Sequence, residues 1–367
     1  MRLKINVIFF LFVFIVLLSS FRKNKNLTVY NLYYDTSRFQ KPKIPITNPL
    51  TVEGVELGRL LFYDSILSKN NKQSCGSCHK QQFSFSDGGT KYSKGAEGQL
   101  GVRNTMSLVN LAWQTSYFWD GRAKELEDAI HFPIMDTLEM AIDTTLVVEK
   151  IRRHPYYPKM FKKVFNSDSI TFYDISRVIA QFLRTIIIKG YNPSFLTFYN
   201  RFKENESPEL RKEKSFAGMY YRTINTCGRC HPGEGAGNET LFANNLITNK
   251  EFRSRFLITK DSNDVSKFKV PSLINIKYTY PYMHDGRFNT IDEVINHYDE
   301  HLIEISKNNL SKFENVDLED LKLIDYDKKN FSAFFETFTD STILTSKKFS
   351  NPFNSFKFNW KDFPYFK

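Results

Sequence analysis

At 367 residues with 41% hydrophobic content, the chain is long enough for two domains with cores of their own. Its formal net charge of +11 resembles a nucleic-acid signal, yet Arg2, Lys4, Arg22, Lys23 and Lys25 supply five of those charges inside residues 1–26, which hold no acids, leaving +6 for the rest. The remaining basic residues are scattered, as in KKVF and RKEK, so they read as solvated faces with room for an acidic protein partner, and no nucleic-acid partner is expected.

The N-terminus, MRLKINVIFFLFVFIVLLSSFRKNKN, places Arg2 and Lys4 before an apolar run over residues 5–18. That run has signal-peptide length and is short for a membrane span, so 1–26 is read as a secretory signal. An uncleaved N-terminal anchor is the alternative, because no A-x-A cleavage site follows. Either reading puts the body outside the cytoplasm, in the periplasm. Residues 27–44 are polar, with Pro42 and Pro45 at their end, and read as a linker. TVEGVELGRLLFYD (51–64) has helical spacing and leads into CGSCH at 75–79, after which the Gly- and Ser-rich stretch 81–101 reads as a loop.

Helical patterns follow at 122–131, 139–153 and, most clearly, 171–188 (TFYDISRVIAQFLRTIII). Asn192 and Pro193 break the pattern and the charged RFKENESPELRKEK comes next, which sets a domain boundary near 204. The N-terminal domain is then 45–204 and the C-terminal domain 205–345. A helix over 208–224 enters the second motif, CGRCH at 227–231; TIDEVINHYDEHL (290–302) is a helix with a Thr cap and acids in its first turn. A last helix spans about 319–338, and the Phe- and Asn-rich tail, 346–367, is expected to pack back on the body. Few segments alternate like strands, so the fold class is mainly α: two small helical domains, built alike, each needing a cofactor to fill its core. Beyond the cysteine motif no short repeat is expected.

The two motifs use every cysteine in the chain. Disulfides or thiol redox pairs suit an exported protein, but neither needs a histidine directly after the pair. Zinc is disfavoured because the pairs lie far apart compared with ribbon spacing. C-x-x-C-H fits c-type haem: Cys75 and Cys78, then Cys227 and Cys230, form thioethers to the vinyl groups, and His79 and His231 become the proximal iron ligands. Two covalent haems c are therefore expected.

Beyond these motifs the chain resembles the bacterial di-haem cytochrome c peroxidases, including the MauG-type enzymes, over roughly residues 50–340. The resemblance rests on LGRLLFYDSILSKNNKQSCGSCH, GVRNTMSLVN, FWDGRAKELEDA, LEM, CGRCH and FKVPSLINIKYTYPYMHDGRFNTIDEVINHY. It implies two cytochrome c-like domains, one haem reacting with hydrogen peroxide and the other passing electrons. By the same resemblance Trp119 is the relay between the haems, and Glu139 is the acid that shuttles a proton during O–O cleavage, work suited to a carboxylate. Asn104, Thr279 and Pro281 match the residues that hold Ca2+ between the haems, oxygen donors suited to that ion. His284 and Asp285 read as structural supports.

Three departures stand out. Ala129 occupies a place where the family often has Gln, with His131 nearby as a substitute or a surface residue. No histidine lies between His79 and His131, so nothing in that loop caps the first haem, whose iron should rest with an open face. Where the family's electron-transfer haem takes a methionine, this chain has Tyr298, the MauG-type arrangement; His297, His301 and Met283 are rivals. The resemblance thus implies a periplasmic peroxidase served by a small electron donor, a cytochrome c or cupredoxin. The alternatives are a MauG-like oxidase acting on a partner protein, a non-catalytic electron-transfer cytochrome, or a haem-based sensor.

Overall fold

The computed structural model describes residues 27–37, 39–189, 223, 227–231, 241–246, 254–309, 323–354 and 358–360. The expected signal at 1–26, the boundary near 204, the helix over 208–224 and residues 361–367 of the tail lie outside the described residues. Among the described residues the chain is mainly helical, with one two-stranded antiparallel sheet, β1 (Leu241–Ala243) and β2 (Lys267–Lys269). No described helix is long and apolar enough to cross a membrane.

The longer helices are α1 (Val52–Tyr63), α2 (Thr144–Arg153), α3 (Tyr157–Phe165), α4 (Phe172–Arg184), α5 (Ile291–Glu300), α6 (Leu302–Asn308) and α7 (Asp325–Glu336). Their starts follow from local chemistry. Thr51 caps α1 by accepting from the Gly54 N–H, while Thr171 with Asp174, and Thr290 with Glu293, form reciprocal capping boxes on α4 and α5. The first half is organised around α1 against α4, with Leu57, Leu60, Leu61, Val178, Ile179 and Phe182 buried between and around them. Their approach requires Gly58, where a Cβ would collide with the Val178 carbonyl.

A buried ion pair ties the same layer. Arg184 donates from Nη1 and Nη2 to the two oxygens of Glu127, at 2.7 and 2.8 Å, and Asn48 Nδ2 adds a 2.6 Å bond. Burial alone would raise the Glu127 carboxyl; the Arg184 guanidinium holds it below the usual range instead. Glu127→Ala leaves that cation buried without its partner, so unfolding in urea should show a loss of about 3–5 kcal/mol.

Several boundaries differ from the periodicity. The expected 139–153 helix starts only at Thr144, because Ala141 is left-handed and Asp143 accepts from Thr145 as the cap. The 122–131 pattern resolves into short helices, Leu126–Ala129 and His131–Met135. The 171–188 helix stops at Arg184, since Ile186 O and Ile188 N pair with Asn110. His301 leaves the helical conformation and divides 290–302 into α5 and α6. Helix α3 is an addition, with Pro158 in its first turn where proline is tolerated. The segment read as a linker packs on the body: Val29 bridges Thr51, Phe39 is buried, and the Gln40 carbonyl accepts from Trp113 Nε1 at 2.7 Å. The described part of the tail does pack back, with Tyr63 Oη donating to the Phe349 carbonyl at 2.7 Å and Trp360 stacked on Tyr156.

A longer repeat than the cysteine motif is present. SLVNLAWQTSYFWDGRA and SLINIKYTYPYMHDGRF, at 107–123 and 272–288, adopt the same turns. Asn110 and Asn275 are both left-handed and open short 3-10 helices, Leu111–Trp113 and Ile276–Tyr278. Phe118 and Met283 share positive φ, as do Gly121 and Gly286. Bridges Tyr117↔Ala123 and Tyr282↔Phe288 close the two loops, and each holds an Asp–Arg pair, Asp120–Arg122 and Asp285–Arg287.

Candidate functional site

Each cysteine motif forms one helical turn, at Cys75–Cys78 and at residues 227–230, closed by the histidine N–H on the first cysteine's carbonyl (2.9 Å for His79, 2.8 Å for His231). One turn brings positions three apart onto the same side, so the two thiols and the histidine of a motif present together. The first motif is fixed further by Ser74, whose N–H donates to Ser77 Oγ at 3.0 Å. Left-handed Ser84 and Phe85 then turn the chain back, so that the Phe85 carbonyl meets His79 Nδ1 at 2.9 Å. In the second motif His231 Nδ1 meets the Pro271 carbonyl at 3.0 Å.

A carbonyl only accepts, so Nδ1 carries the proton in both rings and Nε2 holds the lone pair. Burial lowers the pKa of His79 and takes His231 down to about 4, which keeps both neutral. A bond from Nδ1 to a carbonyl fixes the ring's orientation and leaves Nε2 able to ligate a metal. None of the four cysteines is in a disulfide. Burial pushes Cys75 and Cys227 up to about 12 and Cys78 up to about 11, away from the thiolate character of redox-active pairs.

Both motifs wall cavities. The first, of about 300 Å3, is lined by Cys75, Cys78, His79, Trp119 and Glu139 together with apolar side chains such as Leu126 and Ile179. The second, of about 160 Å3, is lined by Cys230, His231, Trp119, Met283, His284 and Tyr298. Residues 104–107, Gln114 and Trp119 line both, and so form the wall between them. Apolar cavities bearing a thiol and a neutral imidazole each fit the donor set and surroundings of a haem c.

The indole of Trp119 is anchored through Nε1 on the Asn104 carbonyl at 2.8 Å. The main chain of Glu139 is clamped by Ala96 N–H on its carbonyl at 2.7 Å, and Gly95 lies so close to the Leu138 carbonyl that no Cβ fits there. The Glu139 carboxyl is raised to about 7, chiefly by burial and also by the charge of Asp136, with Arg122 opposing. It therefore exchanges a proton near neutral pH.

Asn104, Thr279 and Pro281 all reach the second cavity. The Asn104 amide nitrogen donates to the Thr90 and Lys91 carbonyls (3.2 and 3.3 Å), which leaves Oδ1 as its oxygen donor. Among the described residues no group of three or more His, Cys, Asp or Glu side chains is arranged to hold a metal ion. Of the four rivals on the second cavity, Tyr298 and Met283 line it, whereas His297 and His301 do not. His131 lies at the surface with its ring on Phe172, while Ala129 lines the first cavity. His284 stacks on Phe268 at 3.8 Å and its carbonyl accepts from the Asn104 N–H, a supporting role shared by the Asp285–Arg287 pair.

Two contributors carry no sequence motif. Lys269 is buried with its ammonium on Gln114 Oε1 and the Ser116 carbonyl, beside the shared wall. Asn244 hydrogen-bonds Met283 and His297 and lies beside Tyr298. The repeats at 107–123 and 272–288 each begin one residue after a backbone group beside a haem-motif histidine, Met106 near His79 and Pro271 on His231 Nδ1.

Residues 52–207 match the di-haem cytochrome c peroxidase family. The chain is 32% identical over 256 residues to cytochrome c551 peroxidase of Nitrosomonas europaea, covering 69% of this chain and 74% of that one. It is 30% identical over 295 residues to methylamine utilization protein MauG of Methylophilus methylotrophus, covering 78% and 86%. The crystal structure of a MauG-like protein associated with microbial copper homeostasis superposes with a TM-score of 0.71 at 26% identity, over 89% of this chain and all of that one.

Proposed function

The chain belongs to the di-haem cytochrome c peroxidase family, and from that premise we propose that it is an exported enzyme of two cytochrome c-like domains that reduces hydrogen peroxide with electrons from a small redox protein. It is a peroxidase-type oxidoreductase. The observation that carries the finer reading is the pair of cavities, each walled by a CxxCH motif, sharing Trp119, with Glu139 on the first alone. When bound, the haems supply iron centres that exchange single electrons and, where a coordination position is open, take a peroxide oxygen.

Cys75 and Cys78 would tether one haem and His79 Nε2 would ligate it; Cys227, Cys230 and His231 would do the same for the other. Glu139 would accept a proton from peroxide at a carboxylate oxygen and return it to the departing oxygen, the task of a general acid–base near its own pKa. Trp119, fixed on Asn104, would hold an oxidisable π-system between the two sites. Asn104 Oδ1 with the Thr279 and Pro281 main-chain oxygens would hold Ca2+, hard neutral donors suited to that ion. Tyr298 on the second cavity supports the runner-up reading, a MauG-like oxidase that directs its oxidising power to a residue of a partner protein.

Protein matured in a periplasm competent for c-type cytochromes should carry two haem additions that survive acid–acetone extraction, seen by intact mass. Cys227→Ser with Cys230→Ser should leave one. A chain bearing no haem, or bearing zinc, would overturn the whole reading.

A further inference from the structure

Besides His231, Met283 and Tyr298 border the second cavity and His297 lies close by, and the geometry points to Asn244 as the positioning residue that selects among them: it occupies Met283 and His297 and leaves Tyr298 facing the cavity. Asn244 sits immediately after β1, itself one of the cavity residues. Its main chain is held rigidly, because buried Asn309 accepts from the Ala243 N–H at 3.2 Å and donates to the Ala243 carbonyl at 2.7 Å. From that fixed point Asn244 makes three contacts. Its carbonyl meets His297 Nε2 at 2.8 Å, and since a carbonyl only accepts, Nε2 is protonated and has no lone pair for a metal. Its amide Nδ2 donates to Met283 Sδ at 3.6 Å, engaging the thioether lone pair. The same side chain lies beside the Tyr298 phenol, where it opposes the rise in pKa that burial imposes.

Met283 needs such a restraint. It borders the cavity, and its backbone is left-handed at φ 72°, a strained position for a methionine that fixes the direction in which the side chain leaves the loop. Met283 and Tyr298 both line the cavity, and what separates them is the amide, which ties the sulfur. The inference rests on the reading that His231 and Tyr298 would both ligate the iron held at the second cavity.

The test uses the haem-loaded protein and reads the absorption spectrum and midpoint potential of the His231 haem. Asn244→Ala removes the amide but keeps the carbonyl on His297. A thioether-to-ferric-iron band should emerge in the far red with an upward shift in potential, and both should vanish in Asn244→Ala/Met283→Leu. Asn244→Asp, equal in size but with no N–H to donate, should behave like the alanine variant and serves if that one folds poorly. A wild-type spectrum and potential in Asn244→Ala, a change that Met283→Leu does not reverse, or a change in Ala without one in Asp would each overturn the selector role. Tyr298→Phe separates this from the underlying reading. If that variant leaves the second haem's spectrum untouched, Tyr298 is not a ligand and the underlying reading itself falls, whatever Asn244 does.

Discussion

Glu139→Gln is expected to slow the reaction with hydrogen peroxide by about 10²- to 10⁴-fold, the usual cost of losing a positioned acid–base group, while both haem spectra stay close to wild type. The size follows from what the glutamine keeps and what it lacks. It keeps the volume and the clamped main chain between Ala96 and Asp136, so the cavity should not collapse. It lacks a titrating oxygen. Burial first, then the negative charge of Asp136, raise the carboxyl to about 7, and Arg122 pulls the other way; Cys75 and Cys78, which also face it, would be uncharged thioethers in the haem-loaded protein.

Below that value Glu139 is an acid and above it a base. Taking the first proton from peroxide requires the base, so the wild-type rate should rise with pH through about 7 and level off above it. In Glu139→Gln that limb should disappear. The same shift has a stability signature of fixed sign. The native state holds a proton between about pH 4.5 and 7 that the unfolded chain has released, so this group's contribution to stability falls as pH rises across that window. Wild-type peroxide rates in a folded Glu139→Gln protein would reduce Glu139 to a half-buried acid with no part in the chemistry.

The parts of this molecule that were legible beforehand share one property: their signal is local. Helices α1 and α4 follow from a period of 3.6, α5 from its threonine cap, and the haem motifs from five adjacent residues. What escaped depends on partners distant in the chain. The 139–153 pattern looked helical from its start because Met140 is apolar, but Met140 faces the cavity, and the helix waits for its cap at Asp143. Helix α3 hid behind Pro155 and Pro158, which punctuate a sequence unless one of them falls in a first turn. Asn244 is one polar residue in LFANNL, and its importance lies in Met283, His297 and Tyr298, dozens of positions away. The repeat of SLVN and SLIN was available in the letters themselves, masked by substitutions such as Trp119 for His284 that leave the turns intact while changing the chemistry each turn delivers.

Tyr298→Met should raise the midpoint potential of the second haem by a sizeable share of the roughly 0.8 V that axial ligands span, and leave the resting spectrum of the first unchanged. An anionic phenolate oxygen donates charge and favours Fe(III), whereas thioether sulfur favours Fe(II). The substitution places that sulfur at a position that already lines the cavity, on the capped and rigid α5. A second consequence belongs to the other cavity. Among the described residues His79 is the only histidine that lines it, so no histidine stands ready to cap its iron. The fully oxidised protein should then show a high-spin signal, and one equivalent of peroxide added to it should change those bands within seconds, with no priming reduction. Tyr298→Met should not alter that response, because Tyr298 lines the second cavity alone. Should the ferric protein prove wholly low-spin and inert until partly reduced, a side chain such as Met106 or Met140, both on the first cavity, caps the iron after all. Should Tyr298→Met leave the second haem's potential where it was, the phenol is not its ligand.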